Sequence, residues 1–196
     1  MIIKRIFLSS TCDDLQDYRN AVYNAISGIK NLKCVRMEDF GPSESKSPER
    51  CEEEVKDCNI FLGIIGHHYG SIVEGKDISF TEFEYNIANQ NRLILIIFIA
   101  PEDDKFLIPS CLLDTIFINR EKQKNFRKRL FNDHSPDFKW HKPDELATKV
   151  IQAIHNIYIS RKKRQPDPIT SKEITEPFKH RDTLSEDRPQ KEHIDE

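Results

Sequence analysis

Glycine is scarce in this chain, with six in 196 residues, and none falls in a GxGxxG arrangement. That excludes the phosphate-cradling turn of a dinucleotide-binding βαβ unit. A Walker-type lysine motif is also absent, which excludes a P-loop NTPase. The five cysteines (Cys12, Cys34, Cys51, Cys58, Cys111) are odd in number and form no CxxC pair. They suit neither a disulfide scaffold nor a zinc site, and point to reduced thiols in a cytoplasmic protein. No run approaches the roughly 18 apolar residues that a membrane span needs. The opening stretch from Met1 to Leu8 turns polar too soon for a signal peptide. A net charge of −3 lacks the basic footprint of a nucleic-acid binder. The last segment, residues 161–196, is poor in apolar side chains and carries Pro166, Pro168, Pro177 and Pro189. It cannot bury enough surface to offset its ordering entropy, so it is expected to be a disordered tail or linker. The run Arg161-Lys162-Lys163-Arg164 reads as solvated charge at a helix C-terminus, where cations suit the dipole.

What is present, in residues 1–160, is an alternation of strands and helices. Apolar strand segments at residues 5–9, 33–37, 59–65 and 93–99 are separated by amphipathic or capped helical stretches. Residues 115–118 suggest a shorter fifth strand. In the first helix Leu15, Tyr18, Val22, Ile26 and Ile29 recur at helical spacing. Ser47-Pro48 opens a second helix, with proline at its first position. A charged helix covers residues 121–131, and Pro143 opens a final one with Leu146, Val150, Ile154, Ile157 and Tyr158 on one face. Central strands without polar alternation imply a parallel α/β sheet of about five strands with helices on both faces. In such sheets ligands bind at the carboxyl ends of the strands.

The segment most suggestive of chemistry is Ser79-Phe80-Thr81-Glu82-Phe83-Glu84-Tyr85-Asn86-Ile87-Ala88. Ser79 and Glu82 have the spacing of a capping box, in which the serine accepts a backbone N–H and the glutamate returns the bond. Glu84 has no such explanation. Positions two apart on a helix diverge by about 200°, so Glu82 and Glu84 cannot face one another. Glu84 shares a row with Phe80 and Ala88 beside the apolar Phe83/Ile87 row. A partly desolvated carboxylate at the edge of a core face is therefore expected.

Other candidates gather at strand ends. Ser9, Ser10 and Thr11 follow the first strand, where they can cap the helix or, with free N–H groups, hold an anion. Gly63, Gly66 and Gly70 follow the third strand. They either supply turn conformations or let a ligand approach the backbone. His67 and His68 are adjacent and lack a third ligand at sensible spacing, so a metal site is not expected. Arg19 has a carboxylate partner in Asp14 or in a residue across the site.

Several ordered motifs resemble the TIR-like family catalogued as domain of unknown function 4062. They are Ile6-Phe7-Leu8-Ser9-Ser10-Thr11 with Asp14-Leu15 and Arg19, then Phe40-Gly41, Cys51 with Glu54-Val55, and Asp57-Cys58-Asn59-Ile60-Phe61-Leu62-Gly63-Ile64-Ile65-Gly66. Tyr69-Gly70 and Ser79-x-Thr81-Glu82-x-Glu84-Tyr85 complete the match. His68 departs from the family pattern, which carries arginine before Tyr-Gly. The family is similar to TIR domains and, more distantly, to nucleoside deoxyribosyltransferases, and the resemblance implies a flavodoxin-like/TIR-like fold.

It also implies cleavage of an N-glycosidic bond, with Glu84 in the catalytic position and NAD, or a related nucleotide, as substrate rather than cofactor. The candidates for holding the substrate are Ser9, Ser10, Thr11, Gly66, His68, Tyr69 (by stacking) and Ser79. The setting implied is a defence or signalling protein that self-associates and is fused to, or partnered with, an NTPase or repeat-bearing sensor. Two alternatives stand beside it: a non-catalytic TIR-like assembly module, for which the loop at residues 38–46 is a candidate surface, and an N-glycosidase acting on another nucleoside or nucleotide.

Overall fold

The computed structural model describes residues 4–11, 14–39, 47–103, 105–106 and 117–164, the last four of these by backbone alone. Contacts divide the chain into a unit Met1–Ile159 and a unit Ser160–Glu196. Within the first lie β1 (Lys4–Ser10), α1 (Gln16–Ser27), β2 (Leu32–Val35), α2 (Pro48–Lys56), β3 (Ile60–Ile65), α3 (Phe80–Gln90), β4 (Ile94–Ile99) and α4 (Arg120–Asp133). The final helix, α5, spans Pro143–Arg164. The described strands form one parallel sheet in the order β2-β1-β3-β4.

That order explains the layering. The chain steps from β1 to β2 in one direction and then returns across β1 to β3 and β4. Right-handed crossovers place helices on opposite faces when the direction of stepping reverses. Accordingly α1 and α5 cover one face, where Val22, Ile26, Val150 and Ile154 pack on Ile6, Leu8, Leu62 and Phe98. Helices α2, α3 and α4 cover the other, with Cys51, Val55, Ile87, Phe126 and Leu130 on Phe7, Phe61, Ile97 and Ile99. Successive strand residues point to alternate faces, so both sides of each inner strand are buried and β3 is apolar throughout. The order reverses between β1 and β3, and their carboxyl ends form the crevice.

The expected fifth strand is not found where the sequence suggested. Residues 115–116 lie outside the described residues, and Phe117 and Ile118 sit in a helical turn. The described sheet has four strands. Beside β4 stands a single parallel bridge between Phe98 and Asp137. Pro136, without an N–H, precedes that bridge and limits the ladder. On α5, Leu146, Val150 and Ile154 are buried as the periodicity requires, whereas Tyr158 is exposed. Among the described residues, no helix is long and apolar enough to cross a membrane.

Candidate active site

The two serines that end β1 point to opposite faces, as strand alternation dictates. Ser9 faces α3 and donates its hydroxyl to Oε2 of Glu84. Ser10 faces α1 and accepts from Nη1 of Arg19 at 2.8 Å. From the first turns of α2, the Cys51 thiol reaches Oε1 of Glu84, with the sulfur 3.7 Å away. Glu84 is thus held from two elements, and it is only 5% exposed. The sequence placed a partly desolvated carboxylate at the edge of the core face, and the structure buries it almost completely. Helix α3 is buried from Thr81 to Tyr85 and again at Ile87 and Ala88, so it has almost no solvated side there.

Burial pushes the Glu84 carboxyl up to about 7, against the lowering effects of the Ser9 hydrogen bond, the Arg19 charge and the Cys51 thiol; the Glu38 charge adds to the rise. Its proton is therefore exchanged around neutrality, the range useful for acid–base or electrostatic work. The thiols are different. Burial pushes Cys34 up to about 12, Cys58 up to about 11 and Cys51 strongly upward. These three are free thiols, and none is a thiolate at neutral pH.

Arg19, 4% exposed, resolves the choice of partner left by its sequence. It grips Glu38, just beyond β2, through a fork: Nε donates to Oε1 at 2.6 Å and Nη2 pairs with Oε2. Burial pushes the Glu38 carboxyl up, but the hydrogen bond and charge of Arg19 hold it below its ordinary value. Glu38 keeps 40% of its side chain exposed, so this end of the chain of contacts opens toward solvent.

Asp14 does not pair with Arg19 in this network. Its Oδ2 accepts the backbone N–H groups of His67 and His68 at 2.8 and 2.9 Å, and Oδ1 accepts from the Thr11 hydroxyl. Thr11 therefore does not cap α1, whose N-cap position is Leu15 with no side-chain cap bond. The carboxylate lies so close to Gly66 that an added Cβ would stand 2.1 Å from Oδ2. Gly70 follows with φ +87 and Thr11 Cγ2 3.0 Å from the same notional atom. Both glycines thus serve the chain's own turn and packing. From α4, Gln123 and Arg127 donate to the Gly66 carbonyl at 2.6 and 3.0 Å, and Arg127 also reaches the Ala100 carbonyl at 2.7 Å.

The capping box at α3 is half formed. Ser79 accepts from the Glu82 N–H at 3.2 Å, but the Glu82 carboxylate accepts from the Tyr69 hydroxyl at 2.6 Å and pairs with Arg129 at 3.0 Å. Tyr69 is 3% exposed, and its ring packs in the α2/α3/α4 core rather than standing free for a ligand to stack on. Ser79 is fully buried at the helix cap. His67 donates from Nε2 to the Pro101 carbonyl at 3.0 Å. Among the described residues no cluster of three or more metal-ligating side chains occurs.

Of the expected site residues, Ser9 and Glu84 touch one another on the α3 side of the sheet, while Ser10 is joined to Arg19 on the α1 side. Thr11, Gly66 and His68 belong to the Asp14 network, while Tyr69 and Ser79 support the start of α3. Cys51 joins Glu84 and Glu38 joins Arg19, and the sequence had not singled out either for this. A cavity of about 620 Å³ lies elsewhere, lined by Tyr18, Lys105, His141, Lys142, Asp144 and Glu145 on the α1/α5 side of the sheet. It shares no residue with the Glu84 group.

The model of the family described as Domain of unknown function (DUF4062) matches residues 5–155. The chain belongs to the DUF4062 family. No curated protein matches it. A solved structure, a 2-desoxiribosyltransferase from Leishmania mexicana, is similar to the DUF4062 chain with a TM-score of 0.36 and 16% identity. The similarity covers 50% of this chain and 65% of that one, less than two thirds of its length. A likeness this loose transfers no residue role to the DUF4062 chain.

Proposed function

We propose that this DUF4062 domain is an N-glycosidase in which Glu84 is the carboxylate beside the reacting ribosyl carbon, and that NAD is its substrate. One observation carries the proposal: a glutamate buried at the carboxyl ends of parallel strands, titrating near 7, touched by two neutral donors and by no cation. A residue kept for folding alone would favour an apolar or amide side chain there, because burying an ionisable carboxyl costs stability.

The chemistry suits one carboxylate. When the bond between ribosyl carbon and nicotinamide nitrogen breaks, its electron pair moves to the nitrogen, which leaves neutral and needs no acid. The ribosyl centre becomes oxocarbenium-like, and ionised Glu84 stabilises it. Water then adds to that carbon and gives up a proton, which Glu84 can accept. Ser9 fixes the carboxylate. Ser10 accepts from Arg19, which leaves its own O–H to donate to a substrate oxygen.

The choice of NAD, and the setting in a cytoplasmic defence or signalling protein switched on by self-association, rest on the TIR resemblance. The alternative, an assembly module without catalysis, is favoured by the closure of Glu84, whose two oxygens are already engaged. The test is a panel of NAD, nucleosides and nucleotides incubated with concentrated wild-type and Glu84→Gln protein, with free base followed by chromatography. Release from NAD that the variant loses supports the proposal. Release only from another substrate moves the assignment to that base, and no release by assembled protein favours the module.

A further inference from the structure

The two contacts that hold Glu84 differ in strength and in what carries them. Ser9 donates a hydroxyl to Oε2, and Cys51 donates a thiol to Oε1 across 3.7 Å. A hydroxyl is the stronger donor and a thiol a weak one, so Oε1 keeps more of the negative charge when the carboxyl ionises. Ser9 ends β1, an inner strand, and its register partner on β3 is Gly63. Taking Ser9 away from Oε2 means disturbing that ladder. Cys51 lies at the start of α2, where its N–H donates to the Ser47 carbonyl at 3.1 Å and the Ser47 hydroxyl caps the Arg50 N–H. A turn at a helix end opens at less cost than an inner strand. Of the two oxygens, Oε1 is the one that can be uncovered.

A buried cysteine commonly serves as a small apolar side chain, and Cys51 is fully buried. Its placement adds to that role. Among the described thiols, Cys51 is the one whose sulfur reaches a Glu84 oxygen. Burial, then the Glu84 charge and the bond to it, push this thiol strongly upward. It therefore stays S–H around neutrality, a donor and not a nucleophile. The other groups that act on the carboxyl are Ser9 from β1, Arg19 from α1 and Glu38 beyond β2. Arg19 and Glu38 are tied to one another, and Arg19 also to Ser10.

We infer that Oε1 is the oxygen of Glu84 that faces the ribosyl carbon, and that the Cys51 thiol is its positioning residue, the contact that gives way as the substrate arrives. The inference rests on the reading of Glu84 as the carboxylate of an N-glycosidase. Before substrate enters, the thiol keeps the carboxyl aligned beside Ser9. When the bond between ribosyl carbon and nicotinamide nitrogen breaks, its electron pair leaves with the nitrogen, and Oε1 stands against the developing positive charge. The thiol keeps its proton throughout and forms no bond to the sugar. A weak donor suits that place, because a strong one would hold Oε1 against the substrate and draw off its charge.

The test follows the infrared S–H stretch of Cys51 in the full chain, assigned by its loss in Cys51→Ala. In the wild type the band should shift with pH at the Glu84 midpoint of about 7, and in Glu84→Gln that shift should vanish. NAD added to Glu84→Gln, which cannot turn it over, should return the band to the position of a free thiol. In base-release assays Cys51→Ala should lower kcat about tenfold at unchanged KM and raise the pH midpoint by about half a unit. Should that variant unfold, the pH response that Glu84→Gln lacks identifies the band. A band indifferent to pH, or unmoved when calorimetry shows NAD bound, overturns the inference, as does a Cys51→Ala midpoint equal to that of the wild type. Absence of base release by the wild type refutes the N-glycosidase reading and takes the role of Oε1 with it, whereas an intact pH response of the band tells that failure from a misplaced thiol.

Discussion

Replacing Glu84 by glutamine should stabilise the fold, and by an amount that depends on pH. In the folded chain the carboxyl titrates at about 7, against an ordinary value of 4.5. Between those values the folded state keeps a proton that the unfolded state has lost, so stability falls as pH rises. The penalty is absent below about 4.5 and complete above about 7. A gap of two to three pK units corresponds to about 3 kcal/mol, as an order of magnitude. Glutamine keeps the shape without the ionisation. At pH 8 the variant should therefore gain up to about 3 kcal/mol, or roughly 6–12 °C in Tm for a domain of this size. At pH 5, where wild-type Glu84 is protonated, the two should agree within about 1 kcal/mol. Denaturant melts at both pH values measure the difference. Equal shifts at the two pH values, or a variant less stable at pH 8, would refute the reasoning.

Other outcomes follow from the same contacts. Ser9→Ala removes a donor to ionised Glu84, so the pH midpoint of base release should move up by about one unit, as read from a pH–rate profile. Glu38→Gln removes a negative charge that raises the Glu84 pKa, and should move that midpoint down. Gly66→Ala drives a methyl into the Asp14 carboxylate and displaces the cap on two backbone N–H groups. A loss of about 2 kcal/mol or more in urea unfolding is expected.

The sheet was legible because its signal is local. Unbroken apolar runs at Ile60–Ile65 and Ile94–Ile99 require cover on two faces, and this alone implies a parallel α/β arrangement. The cap at Ser79 and the proline at the start of α2 were legible for the same reason. Long-range pairing was less so. Nothing in the spacing says that Glu82 leaves its capping bond for Tyr69 and Arg129, or that Asp14 crosses 53 positions to cap His67. Cys51 read as one scattered thiol until the packing of α2 on α3 brought it to Glu84. Arg19 could be given a carboxylate partner from the sequence, Asp14 or one across the site, but Glu38 lies beyond the next strand and is chosen by the topology. The expected fifth strand is not met at Phe117 and Ile118, which are helical, because local apolar character says nothing about long-range pairing; beside β4 the backbone of Asp137 makes a single bridge instead.

The most direct test of the central claim is nicotinamide release from NAD by concentrated full-length chain at pH 8, wild type beside Glu84→Gln, with both confirmed folded. The account predicts steady release by the wild type and a loss of at least about a thousandfold in the better-folded variant. Equal release by the two proteins would contradict it, because the buried carboxylate would then have no part in breaking the bond.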